Sequence, residues 1–197
     1  MLLNSEQLDV LQEIINIGIG NASGPLSELT QSHVRLEVPN VLVVKAIELG
    51  SALGKLNDEN ASVVEMGFKG VSQGKGILAF PKNDALELVE VLAGEKLGTP
   101  DMDSLKVGIL TEFGNIILGQ FFSAIGNLTK AHFKLCIPSY GEGKIETLLL
   151  SESPNEESII IVVTAQFEIR DLKVQGNIFV LLSVDSLKNL VEAISSY

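Results

Sequence analysis

Two short patterns in this sequence place a carboxylate three residues ahead of an amide: Glu13 with Asn16, and Glu112 with Asn115. On a helix, positions i and i+3 project the same way, so each pair would set an acid and an amide side by side on a rigid support. The two groups do different chemistry. A carboxylate pairs with a cation, whereas the uncharged amide of asparagine offers an oxygen acceptor and two N–H donors, a combination suited to orienting a water molecule. Each pair is followed at the same distance by a glycine, Gly20 and Gly119. Solvation of a helix face would be served equally by Lys, Gln, Asp or Ser, yet both patterns keep Glu, Asn and Gly. A glycine in a helix interior costs roughly 1 kcal/mol relative to alanine. Close approach by another molecule accounts for that cost, and so does helix packing inside the protein.

The elements that carry these pairs follow from periodicity. The stretch EIINIGIGNASG, residues 13–24, has the glycine content of a phosphate-binding loop. Such a loop follows a strand and opens a helix, and its Walker-type version ends in lysine. Here Leu8, Leu11, Ile15, Ile19, Leu26 and Leu29 recur at helical spacing, Asn4 with Gln7 resembles a capping box, and no lysine follows the glycines. The glycines therefore sit within a helix, with Asp9, Glu13, Asn16, Gly20 and Ser27 on the side opposite the apolar residues. Shifting the chain by 99 residues lays LQEIINIGIGNASGPLSELTQSHVRLEVP on LTEFGNIILGQFFSAIGNLTKAHFKLCIP without a gap. Identical pairs include Leu11 with Leu110, Thr30 with Thr129, His33 with His132 and Pro39 with Pro138, besides the acid, amide and glycine positions. In the second copy Gly108, Glu112, Asn115 and Gly119 form one stripe, opposite Leu110, Phe113, Ile117, Phe121 and Leu128.

The rest of each half repeats more loosely. ASVVEMGFKG and GKGILAFP in the first half, and SIIIVVTAQFEIR and VQGNIFVLLS in the second, read as hairpin strands. VSQGKG and RDLKVQG supply the turns, and each hairpin leads into an amphipathic helix, NDALELVEVLAG and VDSLKNLVEAIS. EKLGTPDM, residues 95–102, reads as a linker, and residues 140–158 as an exposed loop. The expected fold class is α+β with a pseudo-twofold internal duplication. Repeats 1–97 and 98–197, each a long helix, antiparallel strands and a closing helix, form one domain, since neither alone buries enough apolar surface.

Composition narrows the function classes. A chain of 197 residues with 46% hydrophobic residues can bury a full core. Its formal net charge of −11 opposes binding to a phosphate backbone, so nucleic acid is not an expected partner. No apolar run long enough to cross a membrane and no leader pattern is read, which makes no membrane and a cytoplasmic location the expectation. Cys136, the single cysteine, lies in the apolar run FKLCIP and reads as a buried packing residue. His33 and His132 fall near the ends of the long helices, where an imidazole favours the helix dipole, and they are read as caps. No ligand spacing for a metal is present. Pro39 and Pro138 end apolar runs and are read as fixing the turn after a strand edge.

The pattern Glu, two residues, Asn, twenty-two residues, Pro occurs twice, at Glu13, Asn16 and Pro39 and at Glu112, Asn115 and Pro138. This resembles the CheC, CheX and FliY family of chemotaxis phosphatases over nearly the whole chain, and two motifs in a chain of this length resemble its CheC-type members. The family pattern also has Asp or Ser four residues before the Glu. Asp9 matches it, and Gly108 departs from it in the second copy. The resemblance implies hydrolysis of the phospho-aspartate of a CheY-like response regulator. Asn16 and Asn115 would position the attacking water, Glu13 and Glu112 would pair with the regulator's lysine, and Asp9, Gly20 and Gly119 would serve docking. It implies no intrinsic cofactor, with Mg²⁺ held by the regulator. A non-catalytic adaptor that binds a phosphorylated regulator, or the deamidase CheD, would use the same face.

Overall fold

Helical spacing and β-branched alternation resolve into the elements their periods predict. The computed structural model describes residues 5–36, 40–54, 60–94, 102–150, 159–169 and 174–183, with the single positions 186 and 189. In chain order these form α1 (Ser5–Thr30), β1 (Val34–Leu36), β2 (Asn40–Lys45), a 3-10 turn (Ala46–Glu48) leading into α2 (Leu49–Leu53), β3 (Asn60–Lys69), β4 (Gly74–Pro81) and α3 (Lys82–Ala93). There follow α4 (Met102–Thr129), β5 (Lys134–Leu135), β6 (Ser139–Lys144), α5 (Ile145–Leu149), β7 (Ile159–Ile169) and β8 (Val174–Ser183). The expected cap at Asn4, the 97/98 repeat boundary with most of its linker, Pro39 and most of the helix after β8 lie outside the described residues.

The eight strands make one antiparallel sheet in the order β1-β7-β8-β4-β3-β5, with β2 also on β7 and β6 also on β3. Hairpins β3–β4 and β7–β8 meet at the centre through β4 and β8. Strands β1 and β2, from the first half of the chain, pair with β7, while β5 and β6, from the second, pair with β3. Each hairpin thus has its outer edge covered by the other half, so the two halves form a single domain.

Side chains alternate across the strands, and both faces are covered. Val64, Met66, Leu78, Phe80, Ile178 and Val180 join a core with α1, α3 and α4. Their neighbours Val63, Ile77, Ala79, Phe179 and Leu181 pack with Leu49 and Leu53 of α2 and with Ile145 and Leu149 of α5. Leu110, Phe113, Ile117 and Phe121 of α4 are fully buried, and each such side chain contributes about 1.5–3 kcal/mol by leaving water. The segment Ser104–Asn127 does reach the length and apolarity of a membrane-crossing helix, contrary to the sequence expectation. Half of it is buried inside the protein, where it forms the core against the sheet.

Helix α1 contains Pro25, which cannot donate to the carbonyl of Asn21. Hydroxyls serve carbonyls around it: Ser23 Oγ donates to Gly20 O at 2.7 Å and Ser27 Oγ to Ser23 O at 2.9 Å. Both long helices end on a non-glycine residue in the left-handed region, Gln31 at φ 50° and Lys130 at φ 49°. After α4, Ala131 N donates to Gly126 O at 2.9 Å and Lys130 N to Asn127 O at 3.5 Å, the two bonds of a Schellman cap. The backbone therefore closes this helix. His33 and His132 each lie three residues beyond the last helical residue and are exposed.

Three further expectations are corrected. Residues 140–149, read as loop, form most of β6 and all of α5: Ser139–Lys144 pairs with β3, and Ile145 and Leu149 are buried in the second core. Leu29, placed on the apolar face of α1, is 38% exposed near the helix end. Cys136 is exposed. It sits where Leu135 pairs with Phe68 and Ser139 with Glu65, so the outer chain carries one residue more than β3 between these pairs. Such a bulge on an edge strand re-aims side chains away from the core.

Candidate functional site: two acid–amide stripes on α1 and α4

Burial of one side of each long helix turns the other side outward. On α1, Asp9, Glu13 and Gly20 are exposed and Asn16 is half-buried, while Ile15 and Leu26 lie in the core. On α4, Gly108, Glu112 and Asn115 are exposed and Gly119 is half-buried, with Phe113 and Ile117 beneath them. Each acid and its amide are thus carried on the outward side of a helix anchored from below.

The helix glycines fall into two groups. A Cβ built on Gly20 or Gly119 meets nothing within 4 Å, and the same holds for Gly108. Packing inside the protein therefore does not account for the glycines of the stripes. Gly18 and Gly114 take that role instead. A Cβ on Gly18 would stand 3.1 Å from Cδ2 of Phe121 on α4, and one on Gly114 would stand 2.5 Å from Cγ1 of Val64 on β3. These contacts seat α1 on α4 and α4 on the sheet.

Beyond Gly119 the second stripe opens on a groove of about 530 Å³ lined by Ser123, Asn127, Lys130, His132 and Phe133. Pro138 lies in the break between β5 and β6, where the ladder with β3 is interrupted and a missing N–H is tolerated. Among the described residues no group of three or more His, Cys, Asp or Glu side chains is placed to hold a metal ion.

A polar cluster near the start of α4, in which Lys106 and Ser62 are buried, Tyr140 half-buried and Glu142 exposed, went unread in the sequence. Lys106, only 7% exposed, is the one charged residue in the buried class among the described residues. Its ammonium pairs with the carboxylate of Glu142 on β6 and lies 5.8 Å from the ring centroid of Tyr140. Tyr140 donates its hydroxyl to Glu142 Oε1 at 2.5 Å, and its oxygen lies 3.2 Å from Ser62 Oγ on β3. Burial opposes the Lys106 charge, but hydrogen bonds with Glu142 and Tyr140 outweigh it and raise the pKa above the ordinary lysine value. Burial, then the hydrogen bond to Glu142, raises Tyr140. The hydrogen bond from Lys106, then that from Tyr140, holds Glu142 below the usual carboxylate range. The available signal was the two-residue spacing of Tyr140 and Glu142, which puts both on one strand face.

A family model described as chemotaxis phosphatase CheX matches residues 62–164, and one described as the CheC-like family matches residues 6–43. In sequence the chain is 24% identical over 206 residues to the CheY-P phosphatase CheC of Bacillus subtilis (strain 168), covering 98% of this chain and 96% of that protein. In fold it is similar to FliY of Thermotoga maritima, with a TM-score of 0.81 and 21% identity over 100% of this chain and 99% of the other. It is also similar to a chain of the CheX–CheY–BeF3–Mg²⁺ complex of Borrelia burgdorferi, with a TM-score of 0.59 and 19% identity over 86% and 97% of the two chains.

Proposed function

Because this chain belongs to the CheC, CheX and FliY family of chemotaxis phosphatases, we propose that it hydrolyses the phospho-aspartate of a CheY-like receiver, with Asn16 and Asn115 orienting the attacking water. The observation that carries this reading is the outward Glu–x–x–Asn pair on each of two anchored helices, each with an open glycine one turn further on. Phosphoryl transfer asks for an in-line nucleophile and charge stabilisation more than for covalent chemistry from the protein. The amide oxygen of each Asn accepts a hydrogen bond from the water and fixes its line of attack, while the N–H group donates a second. The water oxygen bonds to phosphorus, the aspartyl carboxylate leaves, and inorganic phosphate departs.

Glu13 and Glu112 engage a cation on the receiver and set the register in which the amide meets the phosphoryl group. Gly20 and Gly119 leave the receiver backbone room to approach. Mg²⁺ enters with the receiver, whose site it occupies. The test is phosphate release from a phosphorylated CheY-like receiver with and without this protein. Faster release is expected. Binding with unchanged or slower release would instead select the adaptor.

A further inference from the structure

The two stripes match in residue type, but their helices are held differently. Near the start of α4, Lys106 is buried against β6 and β3 through Glu142, Tyr140 and Ser62, as described above. Lys82 adds a second positive charge facing Glu142, and a small cleft of about 260 Å³ lined by Asn60, Ser62, Lys82 and Glu142 opens beside it. At the repeat offset the first half carries Gln7, Val41 and Val43 in place of Lys106, Tyr140 and Glu142, so it has no charged counterpart.

Position matters as much as charge. Lys106 faces inward six residues before the outward Glu112, and an α-helix transmits the roll of one side to the other. Between them lies Gly108, a residue with little helix preference and nothing packed against it. Gly114, seated on Val64, holds the helix at the far side of Glu112. The Lys106 side chain is buried while the Glu142 carboxylate it meets is half exposed, so the pair favours the roll and height of this segment that keep the ammonium within reach of that carboxylate.

We propose that Lys106 is a positioning residue for the second acid–amide pair: through Glu142 and Tyr140 it fixes the roll of α4, so that Glu112 and Asn115 meet the receiver without reorganisation. This rests on the reading of the two stripes as phosphatase sites.

The experiment isolates each stripe. In an Asn16→Ala background the second site supplies the turnover, and in an Asn115→Ala background the first does. Lys106→Met is expected to lower kcat about 10-fold in the Asn16→Ala background, less than the roughly 10²-fold that a 1 Å misplacement of reacting groups costs. KM should change little, and kcat in the Asn115→Ala background should stay unchanged. Lys106→Arg, which keeps a cation, should restore part of the loss. Should Lys106→Met fail to fold by circular dichroism, Tyr140→Phe takes its place and should show the same selectivity with a smaller loss. Equal losses in both backgrounds would make the cluster a general structural support, and no loss in either would remove its role; either result overturns the proposal. If neither Asn substitution lowers phosphate release from the parent, the stripe reading itself fails and this proposal with it.

Discussion

A Cβ on Gly114 would stand 2.5 Å from Cγ1 of Val64, so α4 lies with its backbone against β3 at a point between Glu112 and Asn115. Val64 is fully buried and has nowhere to retreat. Gly114→Ala should therefore destabilise the fold by about 1–3 kcal/mol through overpacking. Gly119→Ala, on the open side of the same helix, should be neutral or add up to about 1 kcal/mol through helix propensity. Denaturant midpoints of the two variants should move in opposite directions or differ by that margin.

If each stripe is a separate site, Asn16→Ala and Asn115→Ala should each leave partial phosphatase activity, and the double variant should lose about 10²-fold or more. Affinity for a stable phospho-receiver mimic should survive in all three, since the carboxylates remain. Full loss from one single substitution would reduce the molecule to one working site, with Gly108 marking the second stripe as the one that differs from the family pattern.

Replacing Glu13 and Glu112 with Ala should weaken receiver binding, because a charge-assisted contact is worth about 1.5–3 kcal/mol. Gly20→Leu and Gly119→Leu should block docking while leaving the circular dichroism spectrum intact, as their surroundings are open. Tight binding by the leucine variants, measured by calorimetry on folded protein, would move the docking surface elsewhere.

The Lys106 cluster predicts a two-sided pH profile of stability. Glu142 has its pKa lowered by folding, so its contribution is present above the ordinary carboxylate range and is lost as pH falls through its folded value. Lys106 and Tyr140 have theirs raised, so their contributions are complete below the ordinary values and are lost as pH rises through the folded ones. Melting temperature should fall at both ends, and Glu142→Gln should flatten the acid limb. An unchanged acid limb in that variant would show that Glu142 does not carry it.

Properties set by neighbours along the chain were readable from the residues themselves. The period that buries Ile15, Leu26, Phe113 and Ile117 also fixes which side Glu13, Asn16, Glu112 and Asn115 occupy, and the alternation in residues 60–81 and 159–183 marked both hairpins. What closes those hairpins was not readable. The pairing of β1 and β2 with β7, and of β5 and β6 with β3, joins segments far apart in sequence, where local propensity carries no information about the partner. For that reason residues 140–149, glycine-containing and polar at their start, looked like loop until β3 supplied the hydrogen bonds that make β6 a strand. The tertiary structure alone decided that Lys106 is buried beside Glu142, that Cys136 is turned out of the core by a bulge, and that Gly114 packs on β3 while Gly119 faces open space. Two glycines on one helix differ in sequence only by position, and what lies within reach of a missing Cβ depends on the strand brought against it.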